Sequence, residues 1–97
     1  MFKIEKETNG NVAVLKLEGW LDTQTTTEFA KELEALDTNI KELVLDFEKV
    51  EYTSSAGLRQ IVAAHKKMNG KLTLKNVCSE IMDVFKLTGF VKHLHIE

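Results

Sequence analysis

The sequence predicts a small α/β domain built on a mixed, mostly parallel five-stranded sheet with an N-terminal antiparallel hairpin and three or more helices. Three observations lead there. Apolar strand patterns alternate with amphipathic helical ones, which implies parallel neighbours joined by right-handed crossovers. Asn9-Gly10, whose residues both accept positive φ, marks a hairpin near the start and so one antiparallel pair. The 97 residues contain no proline and no low-complexity stretch, so residues 1–97 read as one domain with one core.

The elements follow in order. Phe2 and Ile4 alternate with Lys3 and Glu5, the mark of a short half-buried strand. Beyond the hairpin, Val12-Ala13-Val14-Leu15-Lys16-Leu17 is nearly continuous in apolar residues, which suggests burial on both faces or at least a central place in the sheet. Gly19-Trp20-Leu21-Asp22 follows as the loop into the first helix. There Thr25 and Glu28 have capping-box spacing, and Phe29, Ala30, Leu33 and Leu36 form the buried stripe. This helix is expected to stop near Asp37-Thr38-Asn39.

Leu43-Val44-Leu45-Asp46-Phe47 is the next strand. A second helix follows Ser54-Ser55, with Leu58, Ile61, Val62 and Met68 on one stripe. It ends at Asn69-Gly70, where glycine suits a left-handed cap. Leu72-Thr73-Leu74 is another strand. Ser79 caps a third helix carrying Ile81, Met82, Val84 and Phe85, which stops at Gly89, and residues 91–96 form the last strand.

Composition narrows the function classes. Thirteen basic and fifteen acidic side chains give a formal charge of -2 with no basic stripe, which argues against a nucleic-acid partner. The apolar runs are too short for membrane insertion, and the N-terminus lacks a signal-peptide layout. The single Cys78 fits a reducing, cytoplasmic setting. Gly-rich phosphate loops, dinucleotide fingerprints and metal-spaced cysteine pairs are missing, so neither cofactor, metal nor catalysis is expected. His93 and His95 would share a face of the last strand and read as exposed residues there without a third ligand. His65 reads as a boundary residue of the second helix, and Cys78 as a small filler at a strand–helix junction.

Chemistry is most legible at residues 50–59, Val-Glu-Tyr-Thr-Ser-Ser-Ala-Gly-Leu-Arg. Two small hydroxyl residues stand where a buried strand's exit meets the first turn of a helix. A helix start leaves backbone N–H groups without partners and carries partial positive charge. That end stabilises a cap hydroxyl and equally a phosphate. Ser54 and Ser55 are therefore either plain caps or the acceptors of a phosphoryl switch. Gly57 is a poor helix former in a first turn, which suggests close approach to the backbone there; Ala56 is also small, so the helix start looks sterically open. Trp20 is either a core residue or an exposed partner anchor. Asp22 with Thr23, Thr25, Thr26 and Thr27 forms a second polar cluster, for capping or for contact.

Residues 50–59, following Leu-Val-Leu-Asp-Phe, resemble the signature of STAS domains, the anti-sigma factor antagonists of bacteria. The likeness covers nearly the whole chain, including Gly-Trp-Leu-Asp before the first helix and Val-Phe-Lys-Leu-Thr-Gly-Phe near the C-terminus. The family motif commonly reads Asp-Ser-Ser/Thr-Gly-Leu. Anchored on Gly57-Leu58, it puts Ser54 at the aspartate position and Ser55 at the phosphoacceptor position. Ala56 replaces the second hydroxyl, and Arg59 stands where a small residue is usual.

The resemblance implies partner switching. The unmodified chain would bind an anti-sigma factor that is also a serine kinase, freeing a sigma factor. Phosphorylation at Ser55, with Ser54 as the alternative, would break the complex, and a serine phosphatase would restore it. Strand ends of a parallel sheet gather on one side. The contact surface is therefore expected to comprise Thr53, Ser54, Ser55, Ala56, Gly57, Leu58 and Arg59, and to reach Trp20, Asp22 and Thr23. The alternative role in related domains is a phosphorylation-independent scaffold or subunit of a transport or stress-sensing complex. A nucleotide sensor at the same loop ranks lower, because Tyr52 is the only nearby ring.

Overall fold

In the computed structural model, which describes residues 2–97 apart from the side chain of His93, the Asn9-Gly10 turn joins β1 (Phe2–Asn9) to β2 (Val12–Leu21). Gly10 takes φ 63°, as such a turn requires. The chain continues through α1 (Thr25–Glu34), β3 (Glu42–Thr53), α2 (Ser55–Lys67), β4 (Leu72–Lys75), α3 (Ser79–Thr88) and β5 (His95–Ile96). The strands lie in the order β1-β2-β3-β4-β5, antiparallel for β1–β2 and parallel for the rest. This is the mixed sheet the sequence predicts.

Each new parallel strand adds on the same side of the last, so right-handed crossovers set α1, α2 and α3 on a single face of the sheet. Burial follows that layering. Ala13, Leu15 and Leu17 of β2, Leu43, Leu45 and Phe47 of β3, and Leu72 and Leu74 of β4 are buried. They meet Phe29 and Leu33 of α1, Leu58, Ile61 and Ala64 of α2, and Ile81 and Phe85 of α3 in one core. Each such Leu or Phe contributes about 1.5–3 kcal/mol of transfer free energy. Val12 and Val14 of β2 and Val44 of β3 alternate with these and are only half-buried. Of the two readings of β2, the interior place in the sheet holds and burial on both faces does not. Its second face is uncovered, and there Val14 pairs with Val44 while Lys16 reaches Glu7 at 3.4 Å and Lys49 reaches Glu18 at 3.7 Å.

Several boundaries also differ from expectation. Gly19, Trp20 and Leu21 continue β2 and are not a loop. α1 ends at Glu34, ahead of Asp37: the Leu36 N–H closes it with a bond to the Leu33 carbonyl at 3.3 Å, and Asp37, already outside the helix, accepts the Asn39 N–H at 3.1 Å. Ser79 does not cap α3. Cys78 holds the cap position without a side-chain bond, and its carbonyl accepts the Met82 N–H, so Ser79 is already helical. The last strand shrinks to His95–Ile96. Gly89 ends α3 at φ 78°, and Phe90–His93 wind a 3-10 turn that packs Phe90 and Val91 against the core. His93 therefore does not share a strand with His95, and its side chain lies outside the described residues. Among those residues no helix is long and apolar enough to cross a membrane, and no cluster of three metal-binding side chains occurs.

Candidate functional site

Two irregularities in β3 shape the site. Between the pairs Lys16↔Asp46 and Glu18↔Lys49, and again between Gly19↔Val50 and Trp20↔Tyr52, β3 spends one residue more than β2. Such bulges re-aim side chains. Along β3 the buried positions then fall at Phe47, Val50 and Thr53, a spacing of three where a regular strand has two. The first bulge is pinned by the Asp46 carboxylate, which accepts from the Glu48 N–H and the Asn76 amide, each at 3.0 Å. Partial burial pushes the Asp46 carboxyl upward, but Asn76, the Glu48 N–H, Lys16 and Lys75 together hold it below the usual range.

The second bulge sets Tyr52 opposite Trp20 on the helix-free face. Their ring centroids lie 5.7 Å apart at an interplanar angle of 57°, a tilted aromatic pair. Trp20 is 57% exposed and Tyr52 48%. Trp20 is therefore no core residue. Tyr52 escaped the sequence as part of this surface, because the two bulges hide the strand parity that would have revealed it.

Past Thr53 the chain enters α2. Ser54 is extended (φ -89°, ψ 172°), and its Oγ accepts the Gly57 N–H at 3.2 Å. It is thus the N-cap. The Ser54 N–H donates to the Leu21 carbonyl at 2.8 Å, tying this loop to the end of β2. Ser55 is the first helical residue and is exposed, and the first turn of α2 holds no acidic residue. The two serines, which residue chemistry alone left equivalent, have different environments.

The close approach expected at Gly57 exists, but it comes from the protein itself. A β-carbon there would stand 2.6 Å from Thr53 Oγ1 and 3.0 Å from Leu21 Cγ. The helix start is consequently closed beneath, contrary to the expected open geometry. Thr53, Gly57 and Leu58 are buried, and they support the surface from below. Trp20, Thr23, Ser55 and Arg59 are exposed, while Asp22, Ser54 and Ala56 are half-buried.

The neighbouring loop is organised by Asp22 and not by the expected Thr25–Glu28 box. Asp22 Oδ1 accepts the N–H groups of Gln24 (3.0 Å) and Thr25 (2.9 Å), capping the entrance to α1. Thr25 is left free to bind backward: its hydroxyl donates to the Trp20 carbonyl at 2.7 Å and accepts the Asp22 N–H at 2.8 Å. Chiefly through the Thr25 N–H, the Asp22 carboxyl is held below its usual range. The loops after β2 and β3 are thus adjacent and tethered. An exposed primary hydroxyl on such a mount can accept a group from an outside enzyme.

Fold and site together define a one-sided α/β domain with a serine-capped helix start at its strand-end edge. The chain belongs to the STAS domain family, whose model matches residues 3–97. It is 30% identical over 79 residues to BtrV of Bordetella bronchiseptica, a protein whose name assigns it provisionally to the anti-sigma factor antagonists. That alignment spans 77% of this chain and 68% of BtrV. The structure of an anti-sigma factor antagonist from Mycobacterium paratuberculosis superposes with a TM-score of 0.87 at 21% identity, covering 99% of this chain and 85% of that one. The anti-sigma factor antagonist SpoIIAA superposes in both solved forms. The unphosphorylated form gives a TM-score of 0.75 at 16% identity, covering 100% of this chain and 87% of that one. The phosphorylated form, from Bacillus, gives 0.74 at 17% identity, covering 100% and 91%.

Proposed function

We propose that this chain is a cytoplasmic anti-sigma factor antagonist switched by phosphorylation of Ser55. It acts as a binding partner and a kinase substrate, not as an enzyme. The observation that carries the reading is the division of labour at the helix start. Ser54 spends its oxygen on the Gly57 N–H, whereas Ser55 stands exposed beside it. SpoIIAA, which has the same fold, is known in a phosphorylated and an unphosphorylated form, and this supports the same cycle here.

In the cycle, Ser55 Oγ attacks the γ-phosphorus of a nucleoside triphosphate held by the anti-sigma factor kinase. The bond to the β–γ bridging oxygen breaks, the diphosphate leaves, and the hydroxyl proton passes to a base of the kinase. The new group carries about -1.5 to -2 charges near neutral pH. Seating it in a close-packed interface costs several kcal/mol, on the order of 2–7 for a polar group left without partners. The isolated domain tolerates it, since a helix start favours negative charge. Modification therefore ends binding without unfolding, and a serine phosphatase reverses it.

The test is incubation with ATP and an anti-sigma factor kinase that the unmodified chain binds, followed by mapping of the modified residue. Phosphate is expected on Ser55. Ser55→Ala should bind the anti-sigma factor as the unmodified chain does, while Ser55→Asp should bind at least about tenfold more weakly, equivalent to about 1.4 kcal/mol. Phosphate landing on neither serine overturns the switch. Equal affinity of all three forms points to the phosphorylation-independent scaffold.

A further inference from the structure

Ser55 and Arg59 are both exposed and stand four residues apart on α2. Residues at that spacing are neighbours on a helix surface, with β-carbons about 5–6 Å apart. Helical side chains lean toward the N-terminus, so a long side chain at residue 59 reaches back over the turn that holds residue 55. An acidic group N-terminal to a basic one is the favoured order for such a pair. Among the described residues Arg59 enters no salt bridge, which leaves its guanidinium available. That planar fork matches the oxygens of a phosphate.

We propose that a phosphate on Ser55 closes onto Arg59, so that one modification adds negative charge at residue 55 and withdraws the positive charge of residue 59 from the same surface. The inference rests on Ser55 as the acceptor and specifies how the modified site is rearranged. Unmodified, the surface offers a cation beside a neutral hydroxyl. Modified, it offers an internally paired cation and a residue of negative charge. A partner that engages Arg59 through a carboxylate loses that contact at the moment the phosphate arrives. Asp22 and Glu28, before and in the first turn of α1, and Glu51 and Tyr52, on β3, are other titratable groups toward this end of the sheet. They are the same whatever stands at residue 59.

The experiment places phosphoserine at position 55 during translation, so no kinase is needed. The second ionisation of the phosphate is followed by phosphorus NMR in the otherwise unchanged chain, in Arg59→Gln and in Arg59→Lys. Arg59 should lower the midpoint by roughly 0.2–0.4 pH unit relative to Arg59→Gln, the size of an i,i+4 ion pair. Arg59→Lys should recover part of that shift. Phosphoserine at Ser79 is the internal control: it too opens a helix, but Asp83 stands four residues on, so its midpoint should lie above that of position 55. Coincident titrations of the otherwise unchanged chain and of Arg59→Gln overturn the pairing. Because the phosphate is supplied directly, a shift seen in a chain that no kinase modifies would retain the pair and reject the switch.

Discussion

Thr53 Oγ1 lies 2.6 Å from the point where a β-carbon on Gly57 would stand, with Leu21 closing the other side at 3.0 Å. The first turn of α2 is therefore seated directly on the ends of β2 and β3. This contact fixes the height of Ser55 relative to the Asp22 loop, and it accounts for a glycine in a position that disfavours one.

Gly57→Ala should lower stability by up to about 2 kcal/mol net, the overpacking cost of about 1–3 kcal/mol less the helix propensity gained. The added methyl must displace a buried β-branched side chain, which is stiff at χ1, or the branch point of Leu21. Alanine's helix propensity returns at most about 1 kcal/mol, so the net sign is destabilising. Urea unfolding with an unchanged slope is the measurement, and a midpoint at or above the parent value would refute the seating.

Substitutions at the serine pair should separate cleanly. Ser54→Ala removes the cap and should cost about 1 kcal/mol, within the usual span of about 0.5–2. Ser55→Ala should stay within about 0.5 kcal/mol of the parent, as exposed positions do. The reverse order in denaturant titrations would transfer the cap to Ser55 and leave Ser54 as the freer hydroxyl.

Leu58 and Arg59 are adjacent in sequence yet belong to different layers. Leu58 is 2% exposed, so Leu58→Ala should cost about 2–5 kcal/mol and reduce partner binding only by way of the fold. Arg59→Ala should leave the melting temperature nearly unchanged. Calorimetry on the two variants is sufficient to check both.

Trp20, the only tryptophan, reports on its own neighbour. A double-mutant cycle over Trp20→Ala and Tyr52→Ala should give a coupling of about 0.5 kcal/mol, the low end for aromatic pairs because both rings are wet. Tyr52→Ala should also shift the Trp20 fluorescence to longer wavelength. Additive effects with an unchanged spectrum would mean the rings do not pair in solution.

Acid should weaken the Asp22 loop in a defined direction. The folded Asp22 carboxyl titrates below its ordinary value, so its contribution to stability is whole above the unfolded value of about 3.9 and is lost as the pH falls through the lower folded value. Asp22→Asn should therefore be less stable than the parent at neutral pH, and the gap should close on acidification below about pH 4. Asp46 and Glu80, also lowered, remain in both proteins and do not alter the difference. A gap that persists unchanged into acid would remove the carboxylate from the loop's cap.

The element order, the hairpin and the mostly parallel sheet were legible because alternation, periodicity and the Asn9-Gly10 turn are local signals. Boundaries were less so. The end of β2 and the shrunken β5 depend on strand pairing made across the chain, which no window of sequence contains. The capping of α1 by Asp22 is local, to the Gln24 and Thr25 N–H groups, and was hidden by the competing Thr25–Glu28 spacing. At the site, sequence named Ser54, Ser55, Trp20 and Asp22; it ranked Ser55 above Ser54 only through the family resemblance, and it noted Tyr52 near the loop without placing it on the contact surface.

Sequence alone determined which segments are strands and helices and that two small hydroxyls open α2, since both facts follow from residue types a few positions apart. Tertiary structure decided that all three helices share one face, that two bulges in β3 turn Tyr52 toward Trp20, and that Ser54 serves as the cap while Ser55 faces solvent. The first follows from strand order and crossover hand; the other two arise where β2, β3 and α2 meet, and the packing of Thr53 and Leu21 against Gly57 exists only once the three are assembled.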